Sequence, residues 1–245
     1  MSCAELRSLD ILLAEDNPVS ARVIEAFLKR QGHTVSLAVD GAQALAAASA
    51  RRYDVVLMDV QMPGMDGLEA ARRIRGLDQP FGSVPIVALT ANAQREDAEA
   101  CRAAGMTAFV SKPVEFGRLL AVIASLTDGA ATAPSSPRQA SDPIFDAARL
   151  EECRRLMGDD GIADLRRRFD ALVEELRRAL EPGADRSLRA SVAHGVAGCA
   201  TYLGLARLTT ACRALEQAIK DDKAEADAMA EALAPLIEDS AKHLG

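Results

Sequence analysis

Three acidic residues close short apolar runs in the first half of the chain. Glu15 and Asp16 end "DILLAED" (10 to 16), and Asp59 ends "DVVLMD" (54 to 59). Two further polar groups end runs of the same kind: Thr90 in "VPIVALT" (84 to 90), and Lys112 just after "TAFVS" (107 to 111). Three carboxylates brought close together cannot all stay ionised without a cation. Oxygen-only ligation of this sort suits Mg2+, which keeps several waters and takes few carboxylates. A hydroxyl and a fixed ammonium beside a metal-bound carboxylate are what holds the oxygens of a transferring phosphoryl group. Asp59 is then the candidate nucleophile. In phosphoryl transfer, charge neutralisation and in-line placement carry most of the catalysis.

A second candidate stands apart from these. His194 lies in "SVAHGVAGCATYLGL" (191 to 205), a stretch poor in charge and bulk. On a helix from about Ala184 to Leu203, the residues sharing its face are Ala190, Ser191, Ala197 and Gly198, all small. A ring so surrounded is open to a docking protein, and Gly198 lets another domain's loop approach closely, despite a helix-propensity cost of about 1 kcal/mol. The same pattern also fits a histidine packed in a bundle core, with glycines easing a helix crossing. Of the other two histidines, His33 is expected at a surface turn and His243 at a frayed helix end.

These residues need elements to position them. Besides the four runs above, "TVSLA" (34 to 38) reads as a strand, and helical-period segments fall near 18 to 31, 41 to 51, 67 to 76, 94 to 104 and 115 to 127. Regular β/α alternation implies a parallel sheet covered on both faces. All strand C-termini then open on one edge, so the three carboxylates meet in the crevice where ligands of such folds bind. From Asp128 to Pro143, "DGAATAPSSPRQASDP" has linker composition, with a coil reach of about 20 to 25 Å. Beyond it, apolar residues recur at helical spacing. Breaks at Gly158, Pro182–Gly183, Gly204 and Asp221–Asp222 divide the segment into roughly five helices, the last about 223 to 243, and a bundle is the packing solution. The expected domains are 1–127 and 144–245, joined by a flexible linker over 128–143.

Composition narrows the classes. The 245 residues carry a formal net charge of −7, which argues against a general nucleic-acid binder. The five cysteines form no CxxC pair and no disulfide framework, so reduced thiols in the cytoplasm are expected. No signal-peptide pattern opens the chain, and the longest uncharged stretch, Ala190 to Ala206, is short of a membrane span. Met1 is the start a stand-alone protein would show. Arg166–Arg168 and Arg177–Arg178 read as solvated helix faces.

Residues 9 to 127 resemble a response-regulator receiver domain, through "LAEDN", "VLMDVQMPGMDG", "ALTAN" and "FVSKPV". The resemblance implies a flavodoxin-like five-stranded parallel sheet of order 2-1-3-4-5. It implies phosphorylation of Asp59 from a phosphohistidine donor, with Mg2+ held by Glu15, Asp16, Asp59 and the backbone carbonyl of Gln61. It implies Thr90 and Lys112 at the phosphoryl group, Phe109 as the aromatic switch, and a cis Lys112–Pro113 bond. Hydrolases that phosphorylate a strand-end Asp carry an acid two residues later. Gln61 stands there, which disfavours a turnover phosphatase.

Residues 145 to 244 are similar to the histidine phosphotransfer (HPt) family, a four-helix core with a preceding N-terminal helix. His194, Gly198, Leu203–Gly204 and Leu215–Glu216 carry the likeness. The family's lysine three residues after the histidine is Ala197 here. A partly exposed cation at that place is worth about 1 kcal/mol, so its loss weakens phosphohistidine rather than forbidding it. Lys220, one turn beyond Glu216, can reach the same face if the two helices pack antiparallel.

Together these imply a cytoplasmic phosphorelay protein that takes phosphate on Asp59 and relays it through His194. Its partners would be a histidine kinase or other phosphohistidine donor, a downstream receiver domain, and its own receiver docking on its own HPt bundle. No ATP-binding glycine-rich boxes are present, so the chemistry expected is phosphotransfer and self-dephosphorylation only, with no nucleic acid and no membrane insertion. The rival reading makes the bundle a phosphate-free interaction module switched by the receiver, and Ala197 favours it.

Overall fold

Five apolar runs form strands: β1 (Asp10–Ala14), β2 (Thr34–Ala38), β3 (Val55–Asp59), β4 (Ile86–Thr90) and β5 (Ala108–Ser111). They alternate with α1 (Pro18–Arg30), α2 (Gly41–Ala50), α3 (Gly67–Arg75), α4 (Arg95–Ala103) and α5 (Phe116–Thr127). Four longer helical segments follow: α6 (Ala147–Ala179), α7 (Arg186–Tyr202), α8 (Ala206–Lys220) and α9 (Ala226–His243). The computed structural model describes residues 7–90, 95–112, 114–127, 145–181 and 184–243. It divides into two units, Met1–Pro137 and Arg138–Gly245. The expected linker, 128–143, lies outside the described residues, as do Pro113 with its expected cis bond and the Pro182–Gly183 break.

All pairings in the first unit are parallel, in the order β2-β1-β3-β4-β5. Helices cover both faces, so β3 and β4 are buried at every position, while the edge strands β2 and β5 are only partly covered. The chain leaves β1 for one edge and returns as β3 on its other side. The C-terminal ends of β1 and β3 therefore lie side by side at the switch point of the sheet, where a crevice opens. Strand β1 stops at Ala14, so Glu15 and Asp16 stand just past its end rather than within it. Glu15 stays tied to the sheet through its N–H, which donates to Ala38 O at 3.0 Å. Asn17 caps α1 by accepting from the Val19 and Ser20 N–H groups, and Asp66 caps α3 by accepting from Glu69 N–H. These caps set where the loops after β1 and β3 end.

His33 departs from expectation. It is buried, 5% exposed, and its Nδ1 accepts the Leu9 N–H at 3.3 Å. Its position between Gly32 and β2 looked like a surface turn, but Leu9 leads into β1 directly over it. Burial holds the imidazole below its ordinary value. The folded ring therefore refuses a proton that the unfolded ring accepts, so stability is full above about pH 6.5 and declines as pH falls below it. His33→Asn keeps an acceptor near Leu9 N–H but cannot titrate. Urea unfolding between pH 7.5 and 5 should show a shallower loss in the variant, and equal slopes would remove His33 from the account.

In the second unit α6 breaks at Gly158, whose φ of 73° and ψ of 175° are not helical. Five helical rods result, as the sequence pattern predicts. Leu165, Phe169, Val173 and Leu176 of α6, Val196 and Ala200 of α7, Leu208, Cys212 and Leu215 of α8, and Leu233 and Ile237 of α9 form its buried faces. The Leu203–Gly204 pair has a structural reason: Gly204 has φ of 76°, and a Cβ there would stand 2.3 Å from Asp146 O at the start of α6. Arg189 is buried, donating to Ala179 O at the end of α6 and to Asp227 on α9. His243 is the last residue of α9, and its ring stacks on Phe145 at 5.6 Å rather than standing clear. Among the described residues no helix is long and apolar enough to cross a membrane.

Candidate functional site

The crevice at the ends of β1, β3 and β5 gathers most of the residues expected there. Lys112 follows β5, and its backbone N–H donates to Thr90 O at 2.6 Å, which fixes the lysine against the end of β4. From that anchor its Nζ stands 2.7 Å from Glu15 Oε2 and 2.6 Å from Asp59 Oδ2. The other Asp59 oxygen, Oδ1, accepts the Gln61 N–H at 3.0 Å. Asp59, Glu15 and Thr90 are all buried. Phe109 lies on β5 opposite Ala88 and packs, half-covered, on the core beneath the sheet.

Burial pushes the Glu15 carboxyl up to about 7; the Asp59 and Asp16 charges add to this, and Lys112 pulls against it. Burial alone would lower the Lys112 ammonium. The adjacent Glu15 and Asp59 carboxylates outweigh that and hold it above the ordinary lysine range. Among the described residues, Lys112 thus stands against the Glu15 and Asp59 carboxylates, with the Asp16 charge close to Glu15. Glu15 Oε1 is also buried with no hydrogen-bond partner among the described residues. An oxygen-only donor set with excess negative charge and an orphaned carboxylate oxygen fits Mg2+.

In the bundle, His194 Nδ1 lies 3.0 Å from Glu216 Oε2 across the α7–α8 pair. Lys220 Nζ donates to the other oxygen of the same carboxylate, Oε1, at 2.6 Å. Burial alone would raise the Glu216 carboxyl, but the His194 ring and the Lys220 ammonium outweigh it and hold it below the usual carboxylate range. An ionised carboxylate only accepts, so the neutral ring carries its proton on Nδ1 and its lone pair on Nε2. The helices are antiparallel, and Lys220 does reach toward this face, by way of Glu216. Of the two glycines after His194, Gly195 serves packing, since a Cβ there would stand 3.2 Å from Leu172 Cδ2 on α6. Gly198, one turn along, is half-exposed.

Two family models match the chain, a response regulator receiver domain over residues 11–124 and an Hpt domain over 160–244. The chain is a receiver joined to an HPt domain. Sensor histidine kinase AruS of Pseudomonas aeruginosa is 34% identical over 219 residues, 87% of this chain and 21% of AruS. Sensory/regulatory protein RpfC of Xanthomonas campestris pv. campestris is 34% identical over 220 residues, 84% of this chain and 30% of RpfC. The chain thus spans less than a third of either relative. The receiver is similar to the crystal structure of the receiver domain of sensor histidine kinase PA1611 from P. aeruginosa, which has a magnesium ion coordinated in its active site cleft. That likeness is 43% identical and covers 49% of this chain and 98% of that one, with a TM-score of 0.47.

Three residues of the receiver and HPt domain act in ways the sequence pattern does not assign. Glu216 is quoted in the HPt pattern only as half of a Leu–Glu pair, and packing turns it into the partner of His194. Gly67 is the last residue of "VLMDVQMPGMDG". Its N–H donates to Val60 O at 3.0 Å, and a Cβ on it would stand 2.0 Å from Asp59 O. The loop after Asp59 closes onto the strand only because that position is bare. Arg213, three residues before Glu216, reaches back to α7 and donates to Thr201 Oγ1 at 3.5 Å.

Proposed function

We propose that this chain is a phosphorelay protein in which Asp59 accepts a phosphoryl group from a phosphohistidine donor and His194 carries one in turn. The single observation that carries the relay over a phosphate-free module is the contact between His194 Nδ1 and buried Glu216. It holds the tautomer that leaves Nε2 nucleophilic and places a negative charge beside the ring, where positive charge develops on phosphorylation.

At Asp59 a carboxylate oxygen attacks phosphorus while the bond from phosphorus to the donor's imidazole nitrogen breaks, and the electron pair returns to the imidazole. Lys112 and the Gln61 N–H hold the carboxylate in place, and Lys112 and Thr90 stand where the phosphoryl oxygens arrive. Glu15, Asp16 and Asp59, with the Gln61 carbonyl, would hold Mg2+, which supplies neutralisation of the phosphoryl charge. Phe109, on the strand that leads into Lys112, is the side chain we expect to move when Thr90 engages phosphate. At His194 the Nε2 lone pair attacks the phosphorus of an aspartyl phosphate, and the bond from phosphorus to the carboxylate oxygen breaks. Lys220 balances the Glu216 charge, and Gly198 leaves the helix face low enough for a partner's loop.

The donor we propose is a histidine kinase, for which the names of the curated relatives speak, and the acceptor from His194 is a receiver domain, this one or another. We place the chain in the cytoplasm, where buried thiols such as Cys153, Cys199 and Cys212 stay reduced. We take 128–143 as the linker between receiver 1–127 and HPt domain 144–245.

The test is phosphoryl loading of the full chain from a phosphorylated histidine kinase, with and without Mg2+, followed by 31P NMR. Asp59→Asn should abolish the acyl phosphate and chelation of Mg2+ should suppress it, while His194→Gln should abolish phosphohistidine and onward transfer. If His194→Gln leaves every label and every transfer unchanged, the bundle is an interaction module.

A further inference from the structure

Lys220 ends α8 one turn beyond Glu216, and the two share a face of that helix. We propose that Lys220 is a positioning residue for His194: it holds the Glu216 carboxylate in the rotamer that fixes the ring proton on Nδ1, and does not itself hold the phosphoryl group. This rests on the relay function above and deepens the account of the same site.

The carboxylate is held at both oxygens. Oε2 meets His194 Nδ1 at 3.0 Å, and Oε1 meets Lys220 Nζ at 2.6 Å. A glutamate side chain turns about several bonds, so a carboxylate held at one oxygen alone keeps rotamers that take it off the ring. The second contact removes them. Burial works against the Glu216 charge, and the His194 ring and the Lys220 ammonium keep it ionised. An ionised carboxylate only accepts, so the neutral ring turns Nδ1–H to it and leaves the Nε2 lone pair free. A ring not so held is free to carry its proton on Nε2, and that nitrogen then has no lone pair to attack phosphorus.

The same geometry argues against a direct contact with phosphate. The two nitrogens of an imidazole point to opposite sides of the ring, so with Nδ1 on Glu216 a phosphoryl group on Nε2 stands on the side away from that carboxylate. Lys220 closes on Oε1, the Glu216 oxygen that the ring does not use. Nor does the pair serve mainly stability. The Lys220 side chain is 43% exposed, and an i,i+4 pair as open as this adds little to a fold.

The test uses the full chain carrying Asp59→Asn, so that label rests on the bundle. 15N NMR of the imidazoles near pH 8, with His194→Gln to assign the signal, reads the tautomer without any phosphate. Loading is followed by 31P NMR with phosphoramidate as donor. The His194 Nε2 lone pair forms a bond to phosphorus as the donor's phosphorus–nitrogen bond breaks and ammonia leaves, with no further reagent. Lys220→Met should raise the Nε2–H tautomer and slow loading by about threefold to tenfold, and Lys220→Arg should keep both near the parent. In Glu216→Gln, whose amide offers no charge for Lys220 to meet, adding Lys220→Met should change nothing further. A cation held on the phosphate would instead slow loading in both backgrounds and leave the tautomer as it was. The proposal is overturned if Lys220→Met leaves either the tautomer or the loading rate as in the parent, or if it slows loading as much on top of Glu216→Gln as alone. Absence of any His194 label in the Asp59→Asn parent instead overturns the relay function itself, while the tautomer still decides whether Lys220 acts through Glu216.

Discussion

Lys112→Met is expected to lower phosphoryl uptake at Asp59 by about 10²- to 10³-fold, the cost typical of removing one preorganised charge contact from a transition state. It should also destabilise the receiver in a pH-dependent way. Lys112 stands 2.7 Å from Glu15 and 2.6 Å from Asp59, both buried, and methionine keeps the apolar stem while deleting the charge. Breaking a buried pair by removing one partner typically costs about 3–5 kcal/mol, because the other charge is left uncompensated. The carboxyl can escape that cost by taking a proton. With Lys112 present, Glu15 already sits at about 7, against 4.5 for a free glutamate. The folded state thus binds more protons than the unfolded one between those values, and stability falls as pH rises through them. Loss of Lys112 removes the main influence holding Glu15 down, so the decline extends to higher pH. Urea unfolding should show the largest penalty near pH 8 and a much smaller one near pH 5. An equal penalty at both would mean that Lys112 contributes through packing and not through charge.

The second large effect is steric. Gly67→Ala places a Cβ 2.0 Å from Asp59 O and 2.9 Å from Asp59 C, and a backbone carbonyl cannot swing aside as a side-chain tip can. Overpacking of this kind costs about 1–3 kcal/mol, and here the upper end is expected because the obstacle is main chain. The displaced group is the peptide of the proposed phosphoacceptor, so uptake at Asp59 should fall at least about tenfold even where the variant remains folded. Gly117→Ala supplies the control. A Cβ there meets nothing within 4 Å, and within α5 the exchange should be neutral or stabilising by up to about 1 kcal/mol. Equal unfolding midpoints and equal uptake for the two variants would show that the loop gives way without cost.

These two predictions rest on different kinds of information. The positions of Glu15, Asp16, Asp59, Thr90 and Lys112 are readable from local pattern. Each lies at or just after the end of a short apolar run, and a parallel sheet built from alternating elements must bring such ends to one edge. The strand order follows from the receiver resemblance, and the helix breaks at Gly158 and Gly204 follow from residue type. His194 could be picked out by the smallness of its neighbours, since periodicity alone shows which residues share a helix face.

Periodicity does not say which residue of another element comes to meet a given one. Lys112 is 53 residues from Asp59, and whether its ammonium reaches Asp59, Glu15 or both depends on where the Thr90 carbonyl anchors it. Glu216 and Arg213 lie on one helix, and only the antiparallel packing of α8 on α7 sets the first against His194 and the second against Thr201. His33 reads as a turn residue until Leu9 closes over it, because burial is a property of what crosses above a residue and not of its own segment. Sequence by itself determined the elements and picked out Asp59 and His194 as the candidate phosphate carriers, all of which depend on short-range pattern and residue chemistry. Tertiary structure alone decided which charges neutralise which, because side chains far apart in the chain become partners only through packing.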